Sequence, residues 1–127
     1  MQTAPDAAVV KWLDRQPVES IWTTSITILE IRTGLELMPH GRRRQTLELV
    51  FGRILEQELE HRVLDFDTPA TLAAALLTAE HQRAGRTPEV RDMQIAGIVI
   101  AKRATLATRN VRHFADISAP VINPWTA

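Results

Sequence analysis

The chain has 127 residues, 45% of them hydrophobic and 24% charged, which suits one soluble globular domain with a real core. Its 15 basic and 15 acidic residues cancel, so nucleic acid can be held only through a local patch and not by a long-range field. There is no cysteine, which excludes disulfides and thiolate metal sites, and no apolar run approaches the ~20 residues that span a bilayer. The N-terminus has neither the basic start nor the apolar stretch of a signal peptide, so the cytoplasm is the expected compartment.

Pro5 and Asp6 open a helical pattern with Val9, Val10, Trp12 and Leu13 as its apolar positions, and Pro17 ends it. Ile21 to Thr24 reads as a short strand. Thr27-Ile28-Leu29-Glu30 matches a capping box and predicts a helix to about Met38, with Ile28, Ile31, Leu35 and Met38 on one face and Glu30 in its first turn. Pro39-His40-Gly41 breaks that helix. A longer one follows from about Arg42 to Glu60. Its opening run Arg42-Arg43-Arg44 reads as a solvated helix start in preference to a phosphate contact.

Val63 to Phe66 is the next strand. Asp67-Thr68-Pro69 starts a helix with Leu72, Ala75, Leu76 and Ala79 as its apolar face, closed by Gly85. Thr87-Pro88-Glu89 repeats the start signal. The helix it opens is apolar nearly all round, from Met93 through Ile100, and implies burial on more than one side. Asp92 stands alone at its beginning. Thr105 to Thr108 is a strand, Arg109 to Arg112 a polar loop, and Pro120 to Ile122 a last strand. Helices alternating with short apolar strands indicate an α/β fold with a short parallel sheet.

Glu30, Asp92 and Asn110 recur at one place relative to their elements, near helix starts or strand ends. In an open parallel sheet that edge binds ligands. Two carboxylates and an amide oxygen are hard donors suited to Mg²⁺ or Mn²⁺. Each residue also has a structural reading: Glu30 as the acid of a capping box, Asp92 as a helix-dipole partner, Asn110 as an Asx-turn residue. Spacing alone favours the structural readings. His40, His61, His81 and His113 show no pair at helical ligand spacing, so no zinc site is expected. Trp12, Trp22 and Trp125 read as packing residues.

Four stretches, taken in order, carry a resemblance to a family. They are Thr24 to Gly34, Arg62 to Asp67, Arg91 to Ala96, and Leu106 to Phe114 with Val121 to Trp125. Together they resemble PIN-domain toxins of the VapC group, closest to the FitB-like branch. The resemblance implies a three-layer α/β/α domain over residues 1–127 and a metal-dependent ribonuclease, the toxin half of a type II toxin–antitoxin pair. Such a protein cleaves RNA with water activated at Mg²⁺ or Mn²⁺. By position, Glu30 and Asp92 are two of the metal-binding acids, Asn110 stands where an Asp or Asn is found, and Asp116 is a further neighbour of the site. A cognate antitoxin and a homodimer are the implied protein partners. Arg109 and Arg112 are candidates to steady a phosphate, with a solvated surface role preferred for each. The family begins with a central strand ending in an aspartate, and this chain shows no such segment, so that strand and its acid are expected to be absent. Asp6 is no substitute, because no strand precedes it. Metal affinity should then fall with the ligand charge, and the alternative is a non-catalytic PIN-like binding or dimerisation module with an incomplete metal site.

Overall fold

The structure is a computed structural model, and it describes residues 7–126, so the expected opening at Pro5 and Asp6 lies outside the described residues. These residues form two compact units, one of 7–17 with 66–126 and the other of 18–65. The fold is α/β: helices predominate, and the strands are short parallel pairs.

In the 18–65 unit, β1 (Thr23–Thr24) pairs in parallel with β2 (Val63–Leu64), with Thr23 opposite Val63 and Thr24 opposite Leu64. Between them lie α2 (Ser25–Leu37) and α3 (Arg42–Arg53), following α1 (Ala7–Asp14) of the other unit. The N-cap of α2 is Thr24, not Thr27: the Thr24 hydroxyl accepts from the Thr27 amide at 3.0 Å. Because β1 ends at Thr24, the cap falls directly at the strand end. Glu30 therefore lies in the second turn and not the first, and its capping-box role is overturned. Of the predicted apolar face, Leu35 is buried and Ile28 and Met38 are half-buried, while Ile31 is exposed and Ile26 is buried in its place.

Arg44 corrects another expectation. It is buried, not solvated. Its guanidinium bonds Glu48 at 2.7 Å and Glu36 at 3.0 Å, and it donates to the Met38 carbonyl at 3.3 Å. A cation placed on the orphan carbonyls at the end of α2 satisfies them and suits the negative end of the helix dipole. α3 runs on into a π-helical segment, Ile54–Glu58. Arg62 then ties the unit together, donating to Ile21 O and Val18 O at 2.8 Å each and to Glu58 O at 3.1 Å.

In the other unit, α4 (Thr68–Arg83) packs along α5 (Val90–Ala101). Asp67 caps α4 by accepting from the Ala70 amide at 3.1 Å, and Pro69 occupies the first turn as predicted. The helix ends in a Schellman motif, with Gly85 N bonded to Gln82 O and Arg86 N to His81 O; Gly85, at φ +78°, takes the left-handed position that glycine fills at least cost.

The face of α4 turned to the core is Ala70, Ala74, Leu77 and His81. The predicted face is wrong, since Leu72 and Leu76 are 64% and 63% exposed. The cause is Gly97 of α5. A Cβ there would lie 2.4 Å from Ala70 O and 2.8 Å from Ala74 Cβ. The helices meet backbone to backbone, which only small residues on both sides allow. The expectation of a helix buried on several sides holds for α5: Met93, Ala96, Gly97, Ile98 and Val99 are all buried. It begins at Val90, later than the Thr87 signal, because the residue before Pro88 is held extended.

β3 (Leu106–Ala107) pairs in parallel with β4 (Val121–Ile122). Leu77, Met93, Ala96 and Phe114 form the core, with Leu106 and Val121 packed against them.

Candidate metal centre

The site grows from the start of α5. Glu89 is the N-cap residue but makes no side-chain cap bond, which leaves its carboxylate available. Asp92 follows one turn later, in the first turn of the helix as predicted. Glu89 is extended and Asp92 helical, and their carboxylates come within 4.8 Å of each other at the helix start.

The third member comes from far along the chain. After β3, the Thr108 hydroxyl accepts from the Asn110 amide at 3.1 Å and turns the backbone. A 3₁₀ turn, Val111–Phe114, follows. Phe114 is buried in the core beside Met93 and Ala96. That anchor fixes the preceding residue, His113, whose Nδ1 lies 2.9 Å from Asp92 Oδ2. One donor atom each of Glu89, Asp92 and His113 lies within 4.8 Å of the other two.

These residues line a cleft of about 430 Å³ together with His81, Arg86, Arg112 and Asp116. Arg86 and Asp116 form an ion pair across its rim. The hydrogen bond from Arg86, followed by its charge, holds the Asp116 carboxyl below the usual carboxylate range, and His81 adds to the effect. His81 itself is 9% exposed, and its Nε2 has no hydrogen-bond partner among the described residues.

Of the residues expected from the sequence, Asp92 and Asp116 share this cleft. Asn110 does not line it; its side chain is exposed, and Thr108 makes the turn. Glu30 belongs to the 18–65 unit, exposed on α2. Glu89 and His113 were missed. The Glu89-x-x-Asp92 spacing was a usable signal, whereas nothing local links His113 to either acid. Arg109 lies over the Trp125 ring at 5.5 Å from its centroid, a cation–π contact that engages it outside the cleft lining.

A PIN domain family model matches residues 3–120. The chain belongs to the PIN domain family. This PIN domain is 39% identical to a plasmid stability protein StbB of Pseudomonas syringae pv. tomato over 97% of this chain and 88% of that protein. It is 37% identical to a VapC ribonuclease of Sinorhizobium fredii, covering 95% and 86% of the two. Among solved structures, FitAcB from Neisseria gonorrhoeae superposes with a TM-score of 0.81 at 28% identity, over 99% of this PIN domain and 91% of that chain. A DNA-bound VapBC from Salmonella typhimurium gives 0.72 at 28% identity, over 92% and 83%.

The donor set fits the divalent metal expected of a PIN nuclease. Two carboxylates supply negative charge and oxygen donors, and an imidazole supplies nitrogen. Their 4.8 Å envelope is close to the span of ligands around one cation.

Proposed function

We propose that this PIN domain is a metal-dependent endoribonuclease, the toxin of a type II toxin–antitoxin pair, acting in the cytoplasm. The observation that carries the reading is the convergence of Glu89, Asp92 and His113 at the start of α5. The relatives support the substrate class: one is named a VapC ribonuclease, and another, 32% identical over 80% of this chain, a tRNA(fMet)-specific endonuclease VapC. One relative, 27% identical over 98% of this chain, is named toxin FitB, and the FitAcB and VapBC structures at 28% identity share the fold, which supports a cognate antitoxin as partner. Among the described residues no helix is long and apolar enough to cross a membrane.

Glu89, Asp92 and His113 would hold the cation, Mg²⁺ or Mn²⁺. When bound, it supplies positive charge to a phosphodiester and lowers the pKa of water. Arg112, which lines the same cleft, would bind a phosphate oxygen. Arg86 is neutralised by Asp116 and so adds little competing positive charge. Asp116 is too engaged by Arg86 to be a first choice as ligand. A homodimer remains part of the reading.

The test is cleavage of bacterial RNA by the purified chain, with and without chelator. Wild type should cut, the chelator should stop it, added Mn²⁺ should restore it, and Asp92→Asn should lose it. Glu30→Gln and Asn110→Ala test the two remaining residues that the resemblance assigns. Metal-independent cleavage, or an unaffected Asp92→Asn, overturns the proposal. A chain that binds its antitoxin but neither metal nor RNA would be the non-catalytic module instead.

A further inference from the structure

The cleft at the start of α5 contains nitrogen as well as oxygen. The geometry points to a divalent-metal site in which His113 is a nitrogen donor beside Glu89 and Asp92, so that the site selects first-row transition ions such as Mn²⁺ and Co²⁺ over Mg²⁺. This deepens the proposed function and rests on its premise that the cleft binds a divalent cation.

Three observations support it. First, the His113 ring is half exposed but held toward the cleft by its contact to Asp92. It sits on a 3₁₀ turn pinned by the buried Phe114, with a ring nitrogen 2.9 Å from Asp92. Second, the donors are already gathered. Ligands at about 2.1–2.3 Å from one ion stand at most ~4.6 Å apart, and the three here lie within 4.8 Å. A shift of tenths of an ångström closes the set. Third, His81 lines the same cleft, is 9% exposed, and has an Nε2 with no partner among the described residues. A buried ring nitrogen left unpaired is costly. An occupant of the cleft that reaches this nitrogen would give it a bond.

The charges agree. The positive end of the α5 dipole opposes a cation, and the two carboxylates offset it. Arg86 is paired with Asp116, leaving Arg112 as the arginine of the lining that has no acidic partner among the described residues. The selectivity then follows from donor chemistry. Mg²⁺ is small, hard and keeps oxygen ligands, whereas imidazole suits the transition ions.

The experiment uses the full chain. Mn²⁺ binding is followed by loss of the free-ion electron paramagnetic resonance signal, with Mg²⁺ as competitor, and pulsed measurements read out nitrogen-14 coupled to bound Mn²⁺. Wild type should show that coupling and bind Mn²⁺ at least about tenfold more tightly than Mg²⁺. His113→Asp should lose the coupling and shrink the preference to about twofold or threefold, while circular dichroism confirms the fold is kept. Asp92→Asn should weaken both ions. Coupling that survives His113→Asp but disappears in His81→Leu makes His81 the donor and overturns the assignment. Equal affinity for the two ions, or no binding of either, also overturns it. RNA cleavage measured alongside separates the two claims. Cleavage on Mg²⁺ with no nitrogen coupling removes this inference alone; nitrogen-coupled Mn²⁺ without cleavage removes the ribonuclease alone.

Discussion

Replacing Gly97 by Ala strikes the contact that sets the two helices of the unit that carries the candidate metal centre. The added Cβ would sit 2.4 Å from Ala70 O, 2.8 Å from Ala74 Cβ and 3.0 Å from Ala74 N. A carbon–oxygen contact relaxes near ~3.3 Å, so α5 must retreat from α4 by about 1 Å. The obstacle is backbone, which cannot swing aside as a side-chain tip would. Overpacking of this kind costs up to about 3 kcal/mol, and the better helix propensity of alanine returns about 1, for a net loss near 2 kcal/mol. For a domain of this size that lowers Tm by roughly 8 °C. Gly34→Ala is the control. Gly34 lies inside α2 with nothing within 4 Å of its added Cβ, and the change should raise Tm by about 2–4 °C. Thermal melts by far-UV circular dichroism decide the matter. A Gly97→Ala chain that melts at or above wild type would refute the close-packing argument. Because α4 carries His81 and α5 carries Asp92, the variant should also bind Mn²⁺ more weakly.

Arg62→Ala removes a donor that reaches the carbonyls of Ile21, Val18 and Glu58, and should destabilise the chain by roughly 2–3 kcal/mol in urea unfolding; no change would show these bonds to be dispensable. Arg44→Ala should lower Tm more than Arg32→Ala, since Arg44 is buried on the end of α2 and Arg32 is half exposed; the reverse order would contradict the capping role. Arg86→Gln should move the Asp116 titration upward, read by carbon-13 NMR, because the hydrogen bond and charge that depress it are gone. In wild type this depressed carboxyl contributes stability above its unfolded value, and that contribution is lost as pH falls through the lower folded one. The pair is half exposed, so added salt should shrink the effect.

Much of the fold could be read from the residues because local signals and burial agree there. The run Met93 to Ile100 admits no polar face, so α5 had to be buried, and Asp92 had to stand at its start. Other features depend on contacts that no local pattern shows. Thr24 and Thr27 both offer an N-cap, and only the end of β1 chooses between them. Leu72 and Leu76 outweigh alanines in any hydrophobic count, yet the Gly97 contact demands Ala70 and Ala74. Arg44 looked solvated because its i+4 partner Glu48 is an ordinary surface pairing, and only Glu36 and the Met38 carbonyl at the end of α2 bury it. Glu89 was hidden by its neighbourhood, read as part of a start signal. His113 becomes a partner of Asp92 only through the packing of Phe114 on Met93 and Ala96.

The proposed metal centre can be tested directly. Crystals of the chain soaked in Mn²⁺ and measured near the manganese absorption edge would locate the ion by its anomalous scattering. The account predicts a peak bounded by the side chains of Glu89, Asp92 and His113, absent in Asp92→Asn crystals soaked alike. A peak elsewhere on the protein, or none at full soak, would contradict it.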